Sequence, residues 1–550
     1  MIIENVKKMR VAMWENLPID QKKNYQKVIC FFSSLTPLFS QKHTDDTTYT
    51  PYINSKFQEK IFQVTINATA EDLGNTSDAA SVTVQSEDGY NIRYLVGIKS
   101  FIYNEKGQSG GGQKVAQFKS NNQAWAKLVA SIKVKGSKEE TDISNHEIYK
   151  QLAEEVSKIR NERISSSEAN LKGFTIDLND SHEKVEAVYH VLMPTVVDNQ
   201  SPAIYVGETS YTKIDLDNIK VIGCTSVKSP QNFEFEDGKH KYKYTPADCQ
   251  LYMYFDQPDL IREKWTVTYI DDAYELFSNL ADSINNGSDL IPFTKGTTAT
   301  TENEVKITDS VSWSLINNKN KVEKFSGFNS FYGVGSKLGK DSRKRVIQTI
   351  ISDFKISDNT NEFSIAQDLE RFLCDESLDK DEKVLLRDDI RNRLNSVSNE
   401  EFVNTVKRYL YRPQEEMYIP IPKSKFFHEK YPNFFAEGAG TFVPGTSKLA
   451  LLPEERSFNL VFEPSGKTIR SFITQDAGKA IESCESQSYL GEWILKGIFQ
   501  LKDYEPLTKE KLDEIGINGI RLYKTNINND VHLEFIYIDK EQPPKDLLNL

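Results

Sequence analysis

From about position 52 the spacing of apolar residues changes several times along the chain, and each change marks an element. In "NSKFQEKIFQVTI" (54–66) Phe57, Ile61, Phe62 and Val64 follow helix spacing. "ASVTVQ" (80–85) and "IRYLVGIKSF" (92–101) read as strands, with "SEDGYN" as the turn between them. "VAQFKSNNQAWAKLVASI" opens as a strand and passes into an amphipathic helix, and "EIYKQLAEEVSKIRNERI" is helical throughout. "EAVYHVLMPTVV", "AIYVGETSYTKI", "IKVIGCTSV", "FEFEDGKHKYKYT" and "QLYMYF" add short strands. Helices and strands interleaved in this way predict a mixed α/β sheet over about 50–290. The first 50 residues read as polar, helical material, and "GQSGGGQK" (107–114) as a loop.

The pattern then shifts twice. "NNGSDLIPFTKGTTATTENE" (285–304) reads as a linker, and 340–412 as mainly helical through "IAQDLERFL", "DEKVLLRDDIRNRL" and "EEFVNTVKRYL". From Met417 strand patterns dominate again in "MYIPIP", "SFNLVFEPSGKTIRSFI", "GIRLYKT" and "VHLEFIYI". One helix-like piece, "SYLGEWILKGIF", sits among them, with Trp493 expected in the core. The predicted organisation is α+β and multidomain: 1–290 (core about 50–260), a linker and helical spacer at 291–412, and a β-rich domain at 413–550.

Composition narrows the partners. A length of 550 residues exceeds what one core supports. The net charge of −12 requires any polyanion site to be a local basic groove on an acidic body. Five dispersed cysteines without a CxxC pair argue against disulfides or structural zinc, and with the charged N-terminus and the lack of a long apolar run they lead to a cytoplasmic expectation.

The first strand pair carries candidate chemistry. Asp78 stands just before "ASVTVQ", and Lys99 lies late in the neighbouring apolar run. If the two runs are neighbouring strands, both side chains reach one edge of the sheet. A carboxylate there can hold a divalent metal against a phosphate oxygen, and a lysine can orient water and stabilise developing charge. Glu59 on the preceding helix offers a second oxygen ligand, a set that suits Mg²⁺. The plainer reading is a turn aspartate and a lysine reaching solvent. Two basic clusters stand further on. Lys239, His240, Lys241 and Lys243 crowd a hairpin with Asp237-Gly238 at its turn, and Lys337, Lys340, Arg343, Lys344 and Arg345 crowd "GSKLGKDSRKRV". Each is either a phosphate contact or a solvated surface.

"FQEKIFQ", "NTSDAAS", "VGIKSF" and "QKVAQFK", in that order, resemble the catalytic part of bacterial type II restriction endonucleases with a PD-(D/E)XK nuclease core. The resemblance covers about 60 residues, and "NFEFEDGKHKYKYTPADCQLYMYF" (232–255) also looks like a segment of that group. It implies that Asp78 is the metal-binding acid, Lys99 the motif lysine and Glu59 the upstream helix acid. The chain departs from the pattern at Gly97, where the motif has Glu or Asp two positions before the lysine. Glu59 substitutes for it, or Gln117 moves in, or the metal site is weak or dead. The preferred assignment is Asp78 and Glu59 on Mg²⁺ with Gln117 as a polar helper.

"YIPIPKSKFFHEKYPNFF" (418–435) and 457–519 resemble the C-terminal DNA-recognition domain of the NgoFVII restriction endonuclease family. That resemblance implies a seven-stranded pseudobarrel, related to the EcoRII effector domain and to plant auxin-response DNA-binding domains, whose two arms read the major groove. "RSFITQDAGKAIES" would then supply Arg470, Gln475, Asp476 and Lys479, and "PKSKFFHEK" would supply Lys423, Lys425 and His428. Lys241, Lys243, Arg343 and Lys344 are the further candidates for DNA contact.

Other chemistries fail on spacing. A phospholipase D-type nuclease needs HxK with an Asp five residues after the Lys. The two HxK matches, His182-Glu183-Lys184 and His428-Glu429-Lys430, are followed there by Tyr189 and Phe435. Walker A and HEXXH motifs are absent, so no nucleotide cofactor is expected. The sequence therefore reads as a Mg²⁺-dependent type II restriction endonuclease acting on double-stranded DNA. Cutting both strands needs two active sites or two successive nicks, and a homodimer, at least on DNA, is the expectation. The alternative is a sequence-specific DNA-binding protein with a degenerate nuclease fold.

Overall fold

In the computed structural model of the chain, the described residues are 13–39, 49–70, 80–85, 91–103, 112–118, 122–174, 184–195, 201–256, 259–285, 305–317, 320–322, 328, 338, 340–411, 415–474 and 477–548. Asp78, Gln475, Asp476 and the linker at 286–304 lie outside them. The chain forms two compact units. One takes in Met1–Ser312, Val461–Lys467 and Leu512–Leu547; the other takes in Trp313–Leu460, Thr468–Lys511 and Leu548–Leu550.

The strands up to residue 314 are β1 (Thr69–Ala70), β2 (Ala80–Gln85), β3 (Asn91–Ser100), β4 (Gln113–Gln117), β5 (Lys184–Thr195) and β6 (Ala203–Ser210), followed by β7 (Lys220–Cys224), β8 (Phe233–Glu236), β9 (Lys241–Thr245), β10 (Gln250–Met253), β11 (Ile261–Thr266) and β12 (Ile307–Ser314). A six-stranded sheet has the order β1-β2-β3-β5-β6-β11. Within it β2 and β3 are antiparallel, β3 and β5 parallel, and β5 and β6 antiparallel. The parallel step needs a crossover. The long helix Lys138–Lys172 lies on that connection, opened by the Ser137/Glu140 capping box and closed at Gly173 with φ +74.

The two apolar faces of the central strands explain their continuous hydrophobic runs. Val96, Val188 and Leu192 pack with Trp14, Tyr25 and Phe62 on one face. Leu95, Tyr189, Val191 and Met193 pack on the other with Leu152 and Val156 of the long helix. That helix is pinned by Tyr149 Oη donating to the carbonyl of Pro230 (2.7 Å) and by Arg160 and Arg163 donating to the carbonyls of Thr212 (2.9 Å) and Gln117 (2.8 Å). His190 and Glu208 are among the ionisable groups buried in this unit. Burial pushes His190, stacked on Trp14, down to about 3, and pushes Glu208 up to about 7. A five-stranded sheet, β4-β10-β9-β8-β7, completes this part of the chain.

Four helices, Lys340–Asp353, Asn361–Cys374, Lys380–Leu394 and Glu400–Leu410, bury Ile347, Ile365, Leu369, Ile390, Phe402 and Val406 together. Thr360, Asp379 and Asn399 cap three of them by accepting the backbone N–H three residues on. The remaining strands are β13 (Ile419–Pro420), β14 (Ser457–Phe462), β15 (Lys467–Ile473), β16 (Ala480–Ser483), β17 (Gly519–Thr525) and β18 (Val531–Ile536). They form, with β12, a seven-stranded sheet in the order β12-β17-β18-β14-β15-β16-β13. The helix-like piece expected among them runs from Gln487–Gly491 into a π-helix at Glu492–Ile498, with Trp493 buried as anticipated.

Candidate nucleic-acid interface

The sheet edge formed by β13 and β16 brings two of the candidate lysines together. Ile419 pairs with Ile481 and Pro420 with Ala480, and the N–H of Ile421 extends the ladder to the carbonyl of Lys479 at 2.7 Å. Lys423 follows two residues later, in a left-handed conformation (φ 42, ψ 45), at the N-cap of the helix Ser424–Lys430. Lys423, Lys425 and Lys479 are all exposed.

The turn that delivers Lys479 is built on His428. Ala477 and Gly478 are both left-handed, with φ 52 and 61. The His428 ring is fully buried, and its Nε2 lies 2.9 Å from the Gly478 carbonyl. A carbonyl only accepts, so Nε2 carries the hydrogen. A Cβ on Gly478 would lie 2.2 Å from that nitrogen, so only glycine lets the turn rest on the ring. Burial pushes His428 below the usual histidine range and keeps it neutral. The expectation that His428 touches DNA is therefore corrected: with no exposed surface it supports the turn from beneath. No local sequence signal distinguishes such a histidine from a surface one.

Arg470 lies on the exposed side of β15, with its guanidinium held along β14. It donates to Ser457 Oγ (2.6 Å), to the Ser457 carbonyl (3.2 Å) and to Asn459 Oδ1 (3.2 Å). This preorganises a planar donor at the surface, the arrangement suited to base edges or phosphate.

The other basic clusters are largely satisfied internally. In the β8–β9 hairpin, Asp237 accepts from the backbone of Lys239 (3.0 Å) and His240 (2.8 Å) and closes the turn, and His240 is buried. Tyr242 and Tyr244 point inward, leaving Lys241 and Lys243 outward. Lys241 pairs with Glu234 at 2.8 Å and covers the Tyr254 ring, and Lys243 covers the Tyr252 ring. Arg343 donates to the carbonyls of Leu338 (2.8 Å) and Leu373 (2.9 Å), the latter in the last turn of the helix Asn361–Cys374, and so performs a structural task; Lys344 is exposed.

On the first unit, Lys99 lies one residue from the end of β3, half-buried. Gln58, Phe62 and Ile66 form the buried stripe of the helix Ser55–Ile66, and Gln58 Nε2 donates to the Lys99 carbonyl at 3.2 Å. Glu59, the next residue, is turned by about 100° and pairs with Lys56 at 2.9 Å. Strand alternation gives Lys99 the face of Leu95 and Gly97, while Val96 and Ile98 pack with Phe62. The helix of Glu59 thus packs on the face of β3 opposite to the Lys99 side chain and reaches only the Lys99 carbonyl, and β2 begins at Ala80 opposite Val96. Gln117 belongs to the other sheet, and its amide donates to the Asp248 carbonyl at 3.3 Å. Among the described residues no group of three or more His, Cys, Asp or Glu side chains forms a metal-holding cluster.

Residues 391–526 match the family model of the NgoFVII C-terminal B3-like DNA-binding domain. The matched segment includes Lys423, Lys425, His428, Arg470 and Lys479. The similarity points to double-stranded DNA as the partner of this region and to a restriction-enzyme context. No curated protein sequence matches the chain. Among the described residues no helix is long and apolar enough to cross a membrane.

Proposed function

We propose that the chain is a type II restriction endonuclease that hydrolyses double-stranded DNA at a specific sequence. The match of residues 391–526 to a restriction-enzyme DNA-binding domain carries this reading. The exposed Lys423, Lys425 and Lys479 and the fixed guanidinium of Arg470 agree with it. The cutting half rests on the resemblance around Asp78 and Lys99. In this reading Asp78 and Glu59 hold Mg²⁺, a cation that takes hard oxygen ligands of this kind. The Lys56 partner of Glu59 is a mostly exposed lysine, and such surface pairs cost little to exchange. Bound there, the ion would polarise the scissile phosphate. Lys99 would orient the attacking water and offset charge on the phosphate oxygens. A homodimer assembled on DNA would present two sites for two strands, and a cytoplasmic location would suit that task.

One feature favours a second reading. Gly97 leaves the motif without an acid at its usual place, as expected of a protein that binds DNA without cutting. Purified protein incubated with plasmid DNA decides between them. Discrete fragments with Mg²⁺ and none with EDTA are expected; specific mobility shifts without cutting under any of several divalent cations would establish the regulator instead.

A further inference from the structure

The end of the helix Ile19–Ser34 gathers aromatic rings that the core does not absorb. Phe32 stacks on Phe57 of the helix Ser55–Ile66, with ring centroids 4.2 Å apart, and lies 5.9 Å from Phe39. Phe39 in turn lies 5.5 Å from Tyr52. Backbone groups fix the cluster: the N–H of Tyr52 donates to Thr36 Oγ1 (2.8 Å), and that of Ile270 donates to the Ser34 carbonyl (3.1 Å). The helix Ala273–Asn285 then lies alongside the short helix Thr36–Phe39. Phe31, Phe39, Tyr52 and Phe277 are nevertheless 56, 53, 42 and 43% exposed, and Leu38 and Leu276 are exposed next to two of them in the chain. Together the four rings present roughly 400 Å² of apolar surface, at about 200 Å² per ring. Exposed patches of that order mark interaction sites, and the area is about half of what one partner contributes to a standard interface.

Charge at the two ends of the patch restricts the partner. Lys23 and Lys27 are exposed and precede Phe31 at four-residue spacing, about 16 and 10 Å along the helix axis from Ser34. Asp271 and Glu275, also exposed, lie at the opposite end, where Ile270 meets the Ser34 carbonyl. None of these four side chains has an ion-pair partner among the described residues. A uniformly charged partner, such as an anionic lipid surface, would be attracted to one end and repelled by the other. A second copy of the same face meets both demands, because a two-fold rotation lays each end on its opposite.

We propose that this face is the interface through which two copies of the chain join before either meets DNA. This rests on the proposed homodimer and adds to it the joining surface and the order of assembly. The helix that carries Glu59 borders the face through Phe57, so joining there brings two copies of that helix to one interface.

Sedimentation velocity of the full-length protein without DNA, over a concentration series, tests it. A species of twice the chain mass is expected, with a Kd of about 1 µM or tighter, the weak end for an interface of standard size. Phe39→Glu should weaken it at least about 30-fold, as loss of a central aromatic contact does. If Phe39→Glu does not fold, as judged by its circular dichroism melt, Phe277→Glu decides by the same measure. Reversing Lys23 and Lys27 to Glu should also loosen the dimer, and adding Asp271→Lys and Glu275→Lys should restore it, since the ends are then opposite again. A dimer untouched by the deciding aromatic variant, or a fourfold reversal no tighter than the twofold one, overturns this interface. A monomer at every concentration overturns it too; if that monomer pairs on DNA, the proposed homodimer stands without this surface, and if it cuts both strands as a monomer, the homodimer falls as well.

Discussion

Replacing Lys99 by alanine is expected to abolish metal-dependent cutting and leave DNA binding nearly intact. The expected loss is at least 10²- to 10³-fold in cleavage rate, the scale seen when one preorganised transition-state donor is removed. The docking of the Ser55–Ile66 helix should survive, because that contact uses the Lys99 carbonyl and not its side chain. The change in unfolding free energy should stay within about 1 kcal/mol. Lys99→Arg keeps the charge but not the compact ammonium, and should recover only part of the rate. Plasmid cleavage with Mg²⁺ reads the first effect, and mobility shifts in EDTA read the second. A Lys99→Ala protein that cuts at the wild-type rate removes Lys99 from the chemistry.

The second large effect is expected at Gly478. An alanine there must adopt φ near +61 and bring its Cβ to 2.2 Å from His428 Nε2. The left-handed backbone alone costs about 1–2 kcal/mol. The ring cannot retreat, because Phe427, Phe435 and Phe442 surround it at 5.3, 6.0 and 6.1 Å. Gly478→Ala should therefore destabilise the protein by about 2–4 kcal/mol and weaken DNA binding at least tenfold by displacing Lys479. Gly445→Ala is the control: it shares a positive φ of 74 but meets nothing within 4 Å, so it should show the backbone cost alone and near-normal binding. Equal behaviour of the two variants in urea unfolding and in mobility shifts would show that the His428 support is not needed.

Much of the local structure was legible because local physics decides it. The runs "ASVTVQ" and "IRYLVGIKSF" are β2 and the bulk of β3, and the helical pattern over "EIYKQLAEEVSKIRNERI" lies inside Lys138–Lys172, whose cap is written in Ser137 and Glu140. Period-two alternation likewise turned Tyr242 and Tyr244 in and the hairpin lysines out. What escaped the sequence depends on distant partners. Strand β12 lies in a stretch read as linker and spacer, yet it pairs beside β17, more than 200 residues onward, and no local pattern names such a partner. The same holds for Arg343, whose acceptors include a carbonyl 30 residues away, and for His428, whose carbonyl partner is 50 residues away. Of the candidate DNA contacts, Lys423 and Lys479 met because a strand pairing joins their segments, whereas Lys241 was drawn to Glu234 across its own hairpin.

The most direct measurement is to digest a genome of known sequence with the purified protein and Mg²⁺ and to sequence the fragment ends. Ends that fall at a fixed offset from one short sequence, and vanish with EDTA, are the predicted result. Ends scattered without a common sequence, or intact DNA that the protein nonetheless binds specifically, would contradict a site-specific nuclease.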